Sequence, residues 1–463
     1  MRQPRSALYF LISFLGLWTL SFVGSASLGF GPLNPLTSGV LAESNTAEIE
    51  STAQTAMAVE TSSAEKRTAG QERYLYTLFV FLVLFVAIDG IKIIIEIHQR
   101  ASARSFTSNT QEVTALIACH NGAGVIQDTL RDLLRILPPD NIIVVDDGST
   151  DQTSGRAEEM GVRVYRFEKN KGKVSAINFG IYRVKTKYTL LLDDDTRVGN
   201  IRLPTSLLDE GYSAVAFNLL PSRRHKDREG INGTNFVSCL QRYEYGKSME
   251  IGKRFQDVTL SVSCISGAAG LFLTERLNAF HHLHSTIFQG EDLERTLLDL
   301  LKDGRIAFVN ESVWTLAPDS WIGLTRQRLF SWYPGFYRNL GNFFQVIFAP
   351  GLPKRLKFEM IYNIYVAISD PFKVYSLLML TVRLQWVYLL FVYLIYLGLE
   401  IYPFMTVEKK LPTLKYYFPA LIAYPLYGFY NTIVRFMAFF VWIWKRFVSM
   451  TMKPKGAPED RIE

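Results

Sequence analysis

The chain has 463 residues, enough for more than one domain, and is 48% hydrophobic and 13% aromatic, well supplied for a soluble protein. Its net charge of +7 is modest, and its basic residues flank apolar segments, which excludes a nucleic-acid surface and fits a cytoplasmic membrane edge. Cys119, Cys239 and Cys264 form no C-x-x-C pair, which excludes a zinc site or a disulfide framework and fits a reducing compartment.

In residues 1–29 an apolar stretch, 8–23, follows Arg2 and Arg5, and Gly24-Ser25-Ala26 is a candidate signal-peptidase site. The segment is either a cleaved signal or a first membrane span. Residues 30–72, rich in Ser, Thr, Ala and Glu, predict a disordered extracytoplasmic segment. Residues 73–98 predict a transmembrane helix, their apolar part 74–96 being long enough to cross a bilayer. Lys92, Arg100 and Arg104 at its far end put the middle of the chain in the cytoplasm.

Residues 105–340 predict a soluble α/β domain. Strand-like runs at 113–118, 141–145, 162–167 and 188–192 alternate with helical spacing at 126–137, 154–160 and 175–182. That alternation implies βαβ units and a mostly parallel sheet. Cys119 falls in a strand-like run and is expected in the core, whereas His281, His282 and His284 lack i, i+4 spacing and are expected at the surface.

The richest stretch is Leu190-Leu191-Leu192-Asp193-Asp194-Asp195-Thr196, an apolar run ending in three carboxylates. Ligands of open α/β sheets bind at the carboxyl ends of strands. Three carboxylates there repel one another unless a cation lies between them, and hard oxygen ligands suit Mg2+ or Mn2+ together with substrate phosphates. A solvated acidic turn is the competing reading, and the triplet alone does not separate the two. Further polar signatures follow other strands. They are Cys119-His120-Asn121-Gly122, Asp146-Asp147-Gly148-Ser149, Asn170-Lys171-Gly172-Lys173, and Gln289-Gly290-Glu291-Asp292 ahead of an apolar helix at 293–301. A carboxylate in such a loop can accept the imide N–H of a base, although it can equally cap a helix. A Lys beside a Gly at a helix start suits phosphate oxygens.

Residues 341–368 are aromatic and basic and predict interfacial helices; 369–447 predict a C-terminal transmembrane region, and 448–463 a cytoplasmic tail. The apolar stretches 371–402 and 412–445 each hold one span or a broken pair. Arg383 and Arg435 interrupt them, either lining a polar path or snorkelling to an interface.

Taken in order, these motifs resemble glycosyltransferase family 2, especially its membrane-embedded processive branch of cellulose, chitin, hyaluronan and poly-N-acetylglucosamine synthases. The resemblance rests on Asp146-Asp147-Gly148-Ser149, Asn170-x-Gly-Lys173, Asp193-x-Asp195, Gly290-Glu291-Asp292, and Gln327-Arg328-Leu329 with Trp332, which is similar to a Gln-x-x-Arg-Trp motif. It implies a GT-A-type nucleotide-sugar-binding domain flanked by transmembrane helices. It also implies roles: Asn121, Asp146 and Asp147 at the nucleotide, Lys173 at the diphosphate, and Asp193 and Asp195 at the nucleotide and a divalent Mg2+ or Mn2+ ion. Asp292 is implied as the general base, and Glu291, Gln327, Arg328 and Trp332 as residues that gate the site and hold an acceptor sugar.

The implied activity is inverting transfer from a nucleotide-sugar, UDP being favoured, to a growing β-linked polysaccharide, with a multi-pass plasma-membrane location. The alternatives are transfer of one sugar to a lipid carrier and a non-catalytic membrane scaffold. The implied partners are donor, saccharide or glycolipid acceptor, and bilayer, with no nucleic acid. Ser266–Gly270 resembles the family's small-residue loop beside the acceptor, a simple strand-to-turn segment being the competitor. Two departures stand out: the last motif is one residue longer before its Trp, and Gly122 stands where many relatives carry an acid.

Overall fold

The computed structural model describes residues 46–98, 104–222, 235–280, 283, 290–410 and 418–451. The expectations placed on residues 1–29, on the histidines at 281, 282 and 284, and on the tail beyond 451 lie outside them.

Seven strands form one sheet: β1 (Val113–Cys119), β2 (Ile142–Asp146), β3 (Arg163–Arg166), β4 (Tyr188–Asp193), β5 (Ala214–Ser222), β6 (Ala269–Leu273) and β7 (Ile306–Leu316). Their order is β3-β2-β1-β4-β6-β5-β7. β1 and β2 are buried along their whole length, as the unbroken apolar runs of a sheet covered on both faces require. The first four strands are parallel and joined by α2 (Ile126–Leu133), α3 (Thr153–Glu158) and α4 (Lys173–Ile181). β6 runs antiparallel to both β4 and β5, so the sheet is mostly and not wholly parallel.

The register assembles one edge. β1 lies between β2 and β4, the place where the strand order reverses. Cys119 pairs with Asp146 on one side and Ala118 pairs with Asp193 on the other, so both acidic strand ends are level. The antiparallel β6 returns its own start, Ala269, opposite Leu192 and delivers the Ser266–Ala268 loop to the same edge.

Around the membrane segments the structure departs from the expected boundaries. Helix α1 spans Thr46–Ile97, so residues 46–72 are helical and not irregular. Their Ala, Glu, Gln, Lys and Arg content favours helix. The expected interfacial segment and the start of the first apolar stretch fuse into a single helix, α12 (Lys354–Val382). The stretch 371–402 is a broken pair: α12 stops at Arg383, Leu384 turns with φ +54°, and α13 (Trp386–Lys410) begins. The second stretch is one helix, α14 (Phe418–Thr451). Among the described residues three helical segments, Met57–Ile97, Trp386–Val407 and Phe418–Val448, are long and apolar enough to cross a membrane.

Charges buried among these helices and α12 are paired, as groups withdrawn from water must be. Arg435 of α14 donates from Nη2 to Asp370 Oδ1 of α12 (3.0 Å) and from Nε to Oδ2. Lys373 lies 2.7 Å from Asp89, whose other oxygen accepts from the Tyr362 hydroxyl at 2.8 Å. Arg435 therefore joins two helices and does not snorkel. The sheet domain and the helices share a core in which Val237, Leu240 and Tyr243 pack with Phe404, Val407, Leu421 and Tyr424.

Candidate active site

The loops after β1 and β2 are built as one unit. Asn121, at φ +56°, accepts the Thr150 N–H at 2.9 Å on its side-chain oxygen, and its own N–H donates to Ser149 Oγ at 2.8 Å. Asp146 is fully buried; its Oδ1 accepts the Ser149 N–H (2.9 Å) and its Oδ2 the Ser154 hydroxyl. Asp147 accepts the N–H groups of Lys171 (2.7 Å) and Gly172 (2.8 Å). Both aspartates, expected at the nucleotide, thus hold loops together here, because a buried carboxylate needs several donors. Asp147 in particular fixes the turn that launches Lys173.

Gly148 makes that contact sterically possible. Its φ is +66°, and a Cβ there would lie 2.5 Å from both the Asn170 nitrogen and the Lys169 carbonyl carbon. Those are backbone atoms and cannot swing aside. Gly148→Ala is expected to lower stability by about 1–3 kcal/mol and to weaken donor binding, since the Asp147–Gly172 clamp must open. Thermal unfolding and nucleotide titration of the variant measure both effects.

β4 ends at Asp193, and the turn that follows sends Asp194 and Asp195 to different partners. Asp194 points toward β1, where Cys119 Sγ donates to its Oδ2 at 2.9 Å. A Cβ on Gly122 would sit 2.2 Å from that oxygen, so the space an acid would take there is filled by Asp194. Asp195 faces the other way and accepts the Thr315 hydroxyl at 3.2 Å. Burial, then the neighbouring Asp193 and Asp194 charges, push its carboxyl up to about 7.

Lys173 is the first residue of α4, after Gly172 at φ +92°. Its ammonium lies 2.6 Å from Asp193 Oδ1 and 2.9 Å from Glu291 Oε1. Glu291 and Asp292 open α9 (Glu291–Leu300), which starts at Gly290 in the left-handed region. Burial alone would raise Glu291, but Lys173 and Arg295 bring it down to about 2. Asp292 behaves oppositely: burial, then the Glu291 charge, raise it. Its Oδ2 accepts the Gly267 N–H at 3.2 Å. A Cβ on Gly267 would lie 3.4 Å from the Lys173 ammonium, 3.7 Å from Asp292 Cβ and 3.8 Å from Asp193 Oδ2. The small-residue loop therefore runs directly over the charged groups and is no incidental turn.

Arg295 stands outside every motif of the sequence. It is buried beside Lys173, Asp193 and Glu291 around one cleft, and it sits four residues after Glu291 on the same helix face. That i, i+4 spacing is the signal that could have found it.

α9 is pinned from behind by α11 (Tyr333–Phe343): Asn339 donates to the Gly290 carbonyl at 3.0 Å, and Arg338 pairs with Glu294 at 2.5 Å. The Gln/Trp segment leads into α11. Helix α10 (Trp321–Gln327) passes into a π-helical turn, Arg328–Trp332. A π turn absorbs one extra residue within a helix, which accommodates the longer spacing of this motif and keeps Trp332 near the face that Gln327 occupies. Trp332 is 42% exposed, with the Tyr245 ring 6.2 Å away. Burial, then the charge of Glu244, raise the Tyr245 hydroxyl. Gln327 Oε1 is buried without a hydrogen-bond partner among the described residues. Arg328 does not face the cleft: it is 1% exposed and taken up by Glu244, Tyr333, Tyr427 and Asn431.

Residues 114–228 match the family model described as glycosyl transferase family 2. The poly-beta-1,6-N-acetyl-D-glucosamine synthase of Staphylococcus epidermidis is 27% identical over 237 residues, covering 49% of this chain and 55% of that protein. The protein of the same description from Staphylococcus aureus (strain MSSA476) is 28% identical over 264 residues, covering 54% of this chain and 61% of that one. The chain thus spans somewhat more than half the length of these relatives. The structure of a mannosyltransferase from Pyrobaculum calidifontis in complex with GDP-Man and Mn2+ superposes with a TM-score of 0.54 at 13% identity, covering 80% of this chain and 99% of that one. That likeness is one of fold.

Proposed function

We propose, from the premise that this chain carries a family 2 glycosyltransferase domain on a GT-A-type frame, that it is a membrane-embedded inverting transferase extending a β-linked polysaccharide from a nucleotide-sugar, with UDP the favoured nucleotide. The observation that carries the reading is the convergence of Lys173, Asp193, Glu291 and Asp292 around Gly267 at one end of the sheet.

Each side chain has a task that its surroundings support. Lys173, an ammonium at a helix start, binds diphosphate oxygens once they displace its carboxylate partners. Asp292, its carboxyl raised by burial and by Glu291, takes the proton of an acceptor hydroxyl attacking the anomeric carbon opposite the diphosphate. Trp332 and Tyr245 offer aromatic faces for the acceptor sugar.

A divalent cation fits the acidic strand end. Asp195 is enclosed beside two further carboxylates and held up to about 7, the mark of a cluster short of positive charge. Among the described residues no three ligand side chains form a ready-made cage. Two carboxylates completed by substrate phosphates match the way Mg2+ and Mn2+ are held. Between Asp193 and Asp195 such an ion would supply charge stabilisation to the leaving diphosphate.

The test is a donor screen on the full chain in lipid nanodiscs, with UDP-glucose, UDP-N-acetylglucosamine, UDP-glucuronate and GDP-mannose, following nucleoside diphosphate release and product size. Metal-dependent release with a high-mass product supports the synthase. A single-sugar adduct would replace it with a lipid-linked transferase, and no release from any donor would sink both.

The pH profile gives a second check. Since Asp292 acts deprotonated, kcat/KM falls as pH drops through its carboxyl value, which lies above the ordinary 3.8. Glu291→Gln removes the neighbouring charge, so its acid limb is expected to move to lower pH. A limb that stays in place or moves up would reject Asp292 as the base.

A further inference from the structure

Arg328 is the point where the Gln/Trp segment meets the membrane helices. Its Nη1 donates to Glu244 Oε1 (2.9 Å), Asn431 Oδ1 (2.9 Å) and the Tyr333 hydroxyl (3.1 Å). Its Nη2 donates to the Tyr427 hydroxyl (2.9 Å) and to Glu244 Oε2. These partners come from α6 (Phe236–Lys247), α11 and α14. The guanidinium carbon lies 5.5 Å from the centre of the Trp332 ring and 5.5 Å from that of Tyr427.

The contact continues along one face of α14. The Tyr430 hydroxyl bonds that of Thr325 at 2.6 Å, and Lys445 donates to the Phe330 carbonyl at 2.6 Å. Positions 427, 431 and 445 are separated by about one and about four helical turns, so they share a stripe.

We infer that Arg328 is a positioning residue that registers Trp332 against α14, so that the seating of this membrane helix sets the acceptor side of the active site. The kinetic consequence rests on the acceptor role proposed above for Trp332. Four features argue for positioning over phosphate binding. Both Nη atoms are engaged by neighbouring side chains, leaving none for a phosphate. The charge is balanced by Glu244, which burial would raise but Arg328 lowers. A buried ion pair of this kind is held only by good geometry and further hydrogen bonds, and here those come from the membrane helix. Finally, the planar fork of an arginine can hold several partners in a fixed arrangement, which a lysine cannot. The π turn matters too, because it places the pinned Arg328 and the half-exposed Trp332 within one turn of each other.

The test uses the full chain in nanodiscs with two variants. Tyr427→Phe combined with Asn431→Leu cuts the link to α14 but keeps the Arg328–Glu244 pair, so no buried charge is orphaned. Arg328→Lys keeps the charge and removes the fork. The first readout needs no turnover: acrylamide quenching of Trp332, taken as the difference between each protein and its Trp332→Phe counterpart. The second is acceptor KM against nucleoside diphosphate affinity.

Quenching of Trp332 is expected to rise in both variants. Acceptor KM is expected to rise about tenfold while nucleoside diphosphate affinity stays within about twofold, the signature of lost positioning on one substrate only. Unchanged Trp332 quenching would overturn the inference, and so would a parallel loss of donor affinity, which marks direct phosphate contact. If the parent protein turns over no donor, the proposed function fails, while the quenching result still decides this inference.

Discussion

Asp292→Asn is expected to lower the transfer rate by about 10³-fold, within the range seen when a general base is removed, while leaving nucleoside diphosphate affinity within about twofold. The substitution is nearly isosteric. The amide oxygen of an asparagine can still accept the Gly267 N–H that Asp292 accepts at 3.2 Å, so the small-residue loop keeps its place. What is lost is basicity, and the local electrostatics favour this carboxylate over its neighbour as the proposed base. Glu291 shares the Lys173 ammonium with Asp193: its oxygen lies 2.9 Å away, and it is driven down to about 2 with help from Arg295. An acid that strong, tied to a cation, is a poor proton acceptor. Asp292 sits one residue on, half-buried, and is raised by desolvation and then by that same Glu291 charge. Two adjacent carboxylates with oppositely shifted affinities would divide the proposed work, one anchoring a cation and one accepting a proton. Single-turnover transfer beside a nucleotide titration separates rate from binding. A variant that keeps more than about a tenth of the parent rate would move the base elsewhere.

The sheet and its acidic edge are written in local sequence. Val113–Cys119, Ile142–Asp146 and Tyr188–Asp193 are short apolar runs closed by turn residues, and each became a parallel strand within a residue or two of its expected limits. A strand end is a local event, so Asp193 and Asp195 could be placed at the carboxyl edge of the sheet without knowing the pairing. The antiparallel β6 was not legible, because Ala269–Leu273 follows a loop of small residues whose direction only its partners fix.

The fates of Asp147 and Arg328 were illegible for the same reason. Asp147 is taken up by backbone groups 24 and 25 residues away, and Arg328 by side chains 84 and 103 residues away. A motif says which groups are present but not whether the fold has engaged them elsewhere. The extra residue before Trp332 was visible in the sequence, yet its consequence depended on whether the helix would break or widen. It widened, and the π turn kept Trp332 beside Tyr245.

Asp195→Asn is expected to lower kcat/KM by about 10²- to 10³-fold and, at the same time, to stabilise the metal-free protein at neutral pH. The two effects share one cause. Asp195 is half-buried beside Asp193 and Asp194, and its carboxyl is held up to about 7 against an ordinary 3.8. A group whose folded value is raised binds more protons in the folded state than in the unfolded one between those two values. Metal-free stability therefore declines as pH rises from about 4 toward 7 and stays lowered above that. An asparagine carries no such charge, so this decline should be shallower in the variant. Mn2+ is expected to reverse the comparison: an ion held as proposed binds the folded state and stabilises the parent in proportion to the logarithm of its concentration over its dissociation constant. Removing one of two carboxylates should shrink that gain. Thermal unfolding in nanodiscs at pH 5 and pH 7.5, with chelator or with Mn2+, gives the four comparisons needed. If Mn2+ stabilised the variant as much as the parent, Asp195 would not be holding the ion. If the chelated variant were less stable than the parent at pH 7.5, the enclosed acid would owe its place to the fold and not to a ligand that completes it.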